Sequence, residues 1–167
     1  MSSSKDGLEI NQDLSFQQKE WRVKRIVWVV VTALLVAGLL GLFGPGPLSS
    51  ASTGTSGLRV HFLRFARWQA PQSVVVSAAT GGSATLQLSI GRPFLDSMQV
   101  QQITPQPASV KASGNAFLYT FDATGPGAAT DITFNLQPTS LGTIHATVGL
   151  FVEGHRSSLH FTELVYP

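Results

Sequence analysis

The sequence predicts one apolar helix followed by an all-β antiparallel sandwich, and three observations predict it. Residues 26–43 read IVWVVVTALLVAGLLGLF without a single charge. From Leu58 onward, apolar and polar residues alternate in short runs between Gly and Pro turns, and no stretch keeps a helical period. Charged residues make up 12% of the 167, against about 25% in an ordinary globular domain.

Residues 1–15 are polar and aperiodic, and read as a cytoplasmic tail. A helix is predicted over 16–43: Ser15 and Gln18 have the spacing of a capping box, and Leu14 stands where a hydrophobic staple would. Its second part, 26–43, spans about 27 Å, close to the hydrocarbon thickness of a bilayer. The twelve Leu, Ile, Val and Phe residues among the eighteen favour insertion by roughly 4 to 7 kcal/mol. A helix apolar on every side needs a membrane or a large protein around it, and this chain is short.

Lys19, Arg22, Lys24 and Arg25 precede the span, and the next basic residue is Arg59, so the positive-inside tendency puts the N-terminus in the cytoplasm and the C-terminal domain outside. The expected membrane-interface set is Trp21, Arg22, Lys24, Arg25 and Trp28. Ser49-Ser50-Ala51 offers small residues of the kind a signal peptidase cuts, but the charged leader and the apolar run are both long for a signal peptide. The segment therefore reads as an uncleaved anchor in a bacterial inner membrane. Ala33, Ala37 and Gly41, with Gly38 beside them, form a small-residue face suited to lateral helix packing. Gly44-Pro45-Gly46-Pro47 then ends the helix, and 44–57 reads as a flexible Gly, Pro, Ser and Thr linker.

Residues 58–167 form the predicted outer domain. Val60 and Phe62 begin its first strand; SVVVSAA at 73–79 and SATLQLSI at 83–90 flank Gly81-Gly82 and read as a hairpin. Residues 98–103 and 109–112 are weaker strands. Phe117, Tyr119 and Phe121 alternate, as do Ile132, Phe134 and Leu136; Ile144, Ala146, Val148 and Leu150 follow, then Leu159, Phe161 and Val165. Seven to nine strands in this length predict an immunoglobulin-like sandwich, and FNLQPTSLGTIHATVGLFVEG has the pattern of a corner between its two sheets. In this arrangement the chain resembles small bacterial single-pass membrane proteins with a cytoplasmic tail and an Ig-like extracytoplasmic domain. The resemblance implies an architecture and a location, not a function.

The net charge is +2, and neither half is strongly basic, so nucleic-acid binding is not expected. With no cysteine, disulfides, thiolate metal sites, iron–sulfur clusters and cysteine nucleophiles are excluded. His155 and His160, with Glu153 and Glu163 nearby, suggest a surface metal site, but no zinc spacing appears and no metal or cofactor is expected. Neither a nucleophile elbow nor a P-loop is present, and Asp96, Asp122 and Asp131 sit beside turn residues as backbone acceptors. Catalysis is therefore not expected.

Arg59, His61, Arg64, Arg67 and Trp68, interleaved with Phe62 and Phe65, mark a contact surface for a partner or for lipid. The expectation is a non-catalytic accessory or scaffold subunit of a larger bacterial membrane complex, respiratory or photosynthetic in kind. Its partners would be other integral membrane subunits and the bilayer. The alternative is a free membrane-anchored periplasmic module binding a ligand, polymer or protein through sandwich loops.

Overall fold

The computed structural model describes residues 14–39, 46–123, 125, 128–152 and 154–167. It divides into two units, Met1–Ala37 and Gly38–Pro167. The predicted tail, the Gly41 position and residues 40–45 lie largely or wholly outside the described residues.

The helix α1 runs over Leu14–Leu39, so it starts slightly before Phe16, within the usual spread of helix boundaries. Its 26 residues reach about 39 Å. Ile26, Val27, Trp28, Val29, Val30 and Val31 are all exposed, as are Leu34, Leu35, Val36 and Leu39. Consecutive residues turn about 100° apart, so these side chains cover every side of the cylinder. Among the described residues no helix is both long and apolar enough to cross a membrane. The physical reason lies in the sequence: an eighteen-residue stretch ending at Leu39 must take in Arg22, Lys24 and Arg25, while 40–43 fall outside the described residues.

The second unit is a two-sheet β-sandwich, mostly antiparallel. Its strands are β1 (Ser50–Thr55), β2 (Leu58–Leu63), β3 (Phe65–Arg67), β4 (Gln72–Ala79), β5 (Thr85–Gly91), β6 (Met98–Thr104), β7 (Ser109–Ser113), β8 (Ala116–Asp122), β9 (Ala129–Pro138), β10 (Gly142–Val152) and β11 (His155–Tyr166). A short helix α2 (Arg92–Asp96) sits between β5 and β6. One sheet has the order β1-β2-β4-β9-β6, the other β3-β11-β10-β5-β8-β7. Of the described pairings only β3 with β11 is parallel.

The period-two pattern explains the core. Val60, Val76, Ile132 and Phe134 point inward from one sheet, and Leu86, Leu88, Phe121, Val148 and Phe161 from the other. The layers meet through Phe62 on Phe161, with centroids 4.3 Å apart, and through Tyr119 edge-on to Phe134 at 5.6 Å. Phe94 of α2 closes against Phe161 at 5.7 Å. The corner predicted between β9 and β10 is where the chain changes sheet.

Four expectations need correction. Eleven strands form rather than seven to nine. The extra strand β1 lies inside the predicted linker, where Ser and Thr serve as edge residues, Ala51 packs on the core, and the ladder runs from Ser50 opposite Leu63 to Thr55 opposite Leu58. The predicted hairpin across Gly81-Gly82 is not one: β4 pairs with β2 and β9, whereas β5 pairs with β10 and β8. Both strands have an apolar face to bury, and crossing between layers lets each bury it against the opposite sheet. Finally, RPFLD forms α2, one turn that Pro93 starts with its fixed φ, too short to show a period.

Candidate functional site

Alternation determines where the predicted surface residues fall. On β2, Leu58, Val60 and Phe62 face the core, so Arg59 and His61 stand on the outer face of the first sheet. The chain then changes sheet: Ala66 of β3 is buried, and Phe65 and Arg67 face outward on the second. The five residues read as one contact surface therefore separate into two groups. Arg59 lies in a row with Ser77 and Asp131, and His61 lines a shallow cleft of about 350 Å³ with Ser52 and Ser73. Arg64, Arg67 and Trp68 stay together where β3 begins and ends.

This second group is built by the strands around it. Arg64 N–H donates to Ser49 O at 2.7 Å, Leu164 N–H to Arg64 O at 2.8 Å, and Trp68 N–H to Tyr166 O at 2.7 Å. The Ser49 hydroxyl, on a buried residue, donates to Phe65 O at 3.1 Å. Trp68 Nε1–H donates to Thr139 O at 3.4 Å, yet the ring remains 41% exposed. Leu164 is opposite Phe65 and shares its outward face. Leu48 and Leu164, both exposed, belong to this surface and were not singled out from sequence, where each reads as an ordinary aliphatic residue.

On α1, Trp21, Arg22, Lys24, Arg25 and Trp28 are all exposed, and the Arg25 guanidinium lies 5.4 Å from the Trp21 ring centroid, one turn away. Ala33 is exposed, and Ala37 and Gly38 are half-buried. The fourth member of the small-residue face, Gly41, is outside the described residues.

The histidines do not assemble a metal site among the described residues, where no group of three or more ligating side chains occurs. His155 and His160 share β11. His160 Nδ1 lies 3.0 Å from Thr147 Oγ1, and His145 Nδ1 lies 3.2 Å from Thr162 Oγ1. Glu163 cannot join them, because its side chain is wholly buried between the sheets. Asp131 accepts from the Ser77 hydroxyl at 2.6 Å, a cross-strand contact rather than the expected backbone one.

The buried carboxyl of Glu163 is the main polar feature that sequence reasoning missed. It occupies an inward position between Phe161 and Val165, and the signal was visible as an acid inside an apolar alternation. Gln72 at the start of β4 reaches it from the other sheet: Nε2–H donates to Glu163 Oε1 at 2.5 Å and lies 3.8 Å from Met98 Sδ. Gln72 Oε1 and Glu163 Oε2 are buried without a hydrogen-bond partner. Burial pushes the carboxyl up to about 7, against the smaller lowering effect of the Gln72 hydrogen bond. A proton on Glu163 supplies a donor beside an acceptor that lacks one, so the neutral acid suits this site better than the carboxylate.

A second cleft, of about 370 Å³, opens on the outer face of the first sheet and is lined by Ser73, Gln101, Gln102 and Asn135. A bulge in β6 between Val100 and Gln102 places two glutamines there in succession. Gln137 Nε2–H donates to Gln69 O at 2.9 Å, and the Gln101 amide donates to Gln137.

No protein-family model matches the chain, and no curated protein matches it. Among solved structures, the C-terminal domain of the Streptococcus agalactiae AgI/II polypeptide BspA is similar at 7% identity and a TM-score of 0.45, over 74% of this chain and 46% of that one. A second structure, titled BspA_C_WT, gives 8% identity and the same TM-score over 74% and 47%. The chain thus spans about half the length of the structures it matches.

Proposed function

We propose that the chain is a non-catalytic accessory or scaffold subunit of a larger bacterial membrane complex, held by α1 across the inner membrane with the sandwich outside. The observation that carries the reading is the exposure of apolar side chains on every side of α1. In water, a helix with Trp28 at 71% exposure and Leu39 at 87% presents far more apolar surface than a monomer ordinarily tolerates. Lipid covers such a cylinder on all sides at once. Lys24 and Arg25 at its start, with Trp21 and Trp28, match the composition of an inner membrane boundary.

In this reading the sandwich is immunoglobulin-like. The order β2-β4-β9-β6 over β11-β10-β5 reproduces the ABED and GFC sheets of a seven-stranded constant-type domain, with chain order kept. β1, β3 and the β7–β8 pair are additions to that frame.

Alkaline carbonate extraction of native membranes tests the anchor, which requires the chain to stay with the pellet; release into the supernatant overturns it. Purification in mild detergent with mass spectrometry tests the accessory role. Recovery as a monomer without any other membrane protein overturns that role. One observation favours a second reading, an anchored periplasmic binding module: the cleft of Ser73, Gln101, Gln102 and Asn135 is lined by neutral amides and hydroxyls suited to an uncharged polar ligand. That reading requires the protein to bind its ligand after the span is replaced by an unrelated apolar helix.

A further inference from the structure

The link between α1 and the sandwich is shorter than the sequence implies. Residues 44–57 read as a flexible linker, but Ser50–Thr55 is a strand, and Ser49 and Ser50 N–H both donate to Gly46 O, at 3.1 and 2.9 Å, in a turn that leads into it. The chain is therefore committed to the sandwich from Gly46. If the span ends at Phe43, the three residues to Gly46 reach at most about 11 Å. Counted instead from Leu39, the last described helical residue, seven residues reach at most about 25 Å. The headgroup layer is itself about 5 to 8 Å deep on each side. Covalent reach therefore limits how far the part of the sandwich around Gly46–Ser49 can stand from the end of α1, and leaves the docking itself to the side chains it carries.

That part carries Arg64 and Arg67, both exposed, beside Trp68, Leu48, Phe65 and Leu164. The combination is two cations, an indole with a polar edge, and aliphatic side chains open to the outside, which is the chemistry of a membrane boundary. Among the described acids of the sandwich, two lie at the far ends of their strands and one is buried. Glu163 is buried; Asp122, opposite Thr85, and Asp131, opposite Ser77, are at the other ends of their strands. Asp96, at the end of α2, precedes Ser97, whose carbonyl accepts from the N–H of Thr139, the residue that Trp68 Nε1–H bonds, so one acid stands on the Trp68 side.

We propose that this end of the sandwich docks onto anionic lipid headgroups, with Arg64 and Arg67 on the phosphates and Trp68, Leu48 and Leu164 at the apolar boundary. The proposal rests on the reading of α1 as a membrane anchor. It turns the sandwich from a tethered domain into one with a fixed face toward the bilayer. Both arginines meet the rest of the fold through backbone bonds, so charge reversal leaves the sandwich intact.

The test uses the full chain reconstituted in phosphatidylcholine vesicles with and without phosphatidylglycerol. Substituting Trp21→Phe and Trp28→Phe leaves Trp68 as the sole tryptophan of the three. Brominated lipid is expected to quench Trp68 when phosphatidylglycerol is present. High salt or Arg64→Glu with Arg67→Glu should relieve the quenching. The double reversal lowers the docked-to-free ratio by at least about thirtyfold, the conversion of about 1 kcal/mol for each basic residue lost, with the repulsion of the added carboxylates on top. In parallel, Trp68→Phe keeps Trp21 and Trp28 as reporters of the anchor. Quenching of those two without quenching of Trp68 overturns the docking alone and leaves the patch to a protein partner. Loss of quenching in both variants overturns the anchor and the docking together. Equal quenching with and without phosphatidylglycerol overturns the assignment of anionic headgroups.

Discussion

A carboxyl group with no described counter-charge, placed between two sheets, keeps its proton while the sandwich stays closed. Glu163 has an ordinary value of 4.5 and a folded value of about 7. The unfolded chain therefore releases this proton first, and its contribution to stability is fully present below about pH 4.5 and lost as the pH rises through about 7. Across that window the loss amounts to about 3 kcal/mol. Chemical denaturation at a series of pH values measures it, and Glu163→Gln should flatten the dependence, leaving the variant more stable than the parent above pH 7. The effect at Phe161 is of another kind. Its ring stacks on Phe62 and meets Phe94 edge-on, so Phe161→Ala should cost about 3 to 5 kcal/mol, independent of pH. Both sites were partly legible in the sequence. Alternation along residues 159–165 points Phe161 inward and implicates Glu163 at the same time. The partner Gln72 was not legible, because it comes from the other sheet, and only the packing of the two layers brings them together.

At the level of elements, period-two patterning identified most of the strands, and proline and glycine their ends. It failed where pairing, rather than burial, decides the structure. β1 has almost no apolar content and exists because β2 offers it a ladder; β4 and β5 look like a hairpin but belong to different layers. The same limit divides the candidate contact surface, since Arg59 and His61 leave with one sheet and Arg64, Arg67 and Trp68 with the other. For α1, the question is which face meets a neighbour. Ala33→Leu, Ala37→Leu and Gly41→Leu together preserve apolarity and remove the small-residue face. Membrane insertion should be unchanged, and the amount of co-purifying partner in mild detergent should fall. Unchanged co-purification would leave α1 as an anchor only.

At the level of the whole molecule, the docking proposed above turns on the chain length between α1 and the sandwich. A short link makes docking effectively intramolecular, and a longer one dilutes the domain over a larger volume, roughly as the −3/2 power of length. Inserting a Gly-Ser segment of about twenty residues before Gly46 should thus weaken the quenching of Trp68 by brominated lipid, while leaving the denaturation midpoint of the sandwich unchanged. If quenching survives the insertion in full, affinity of the patch itself, rather than tethering, holds the domain down. None of this could be read from composition, because Gly, Ser and Thr at 50–57 suit a linker and an edge hairpin equally well. The turn at Ser56-Gly57, with Gly57 at φ +97, is what selects the hairpin.

The pairing of β3 with β11 also has a meaning in time. Phe65 waits for Leu164, and Arg67 for Tyr166, so β3 cannot be placed until β11 has been made. Contacts this far apart in sequence form late and slowly. A strand early in the chain is thus completed only with β11. A chain without β11 would leave Ala66 and Phe62 without their cover, in a state more open to proteolysis.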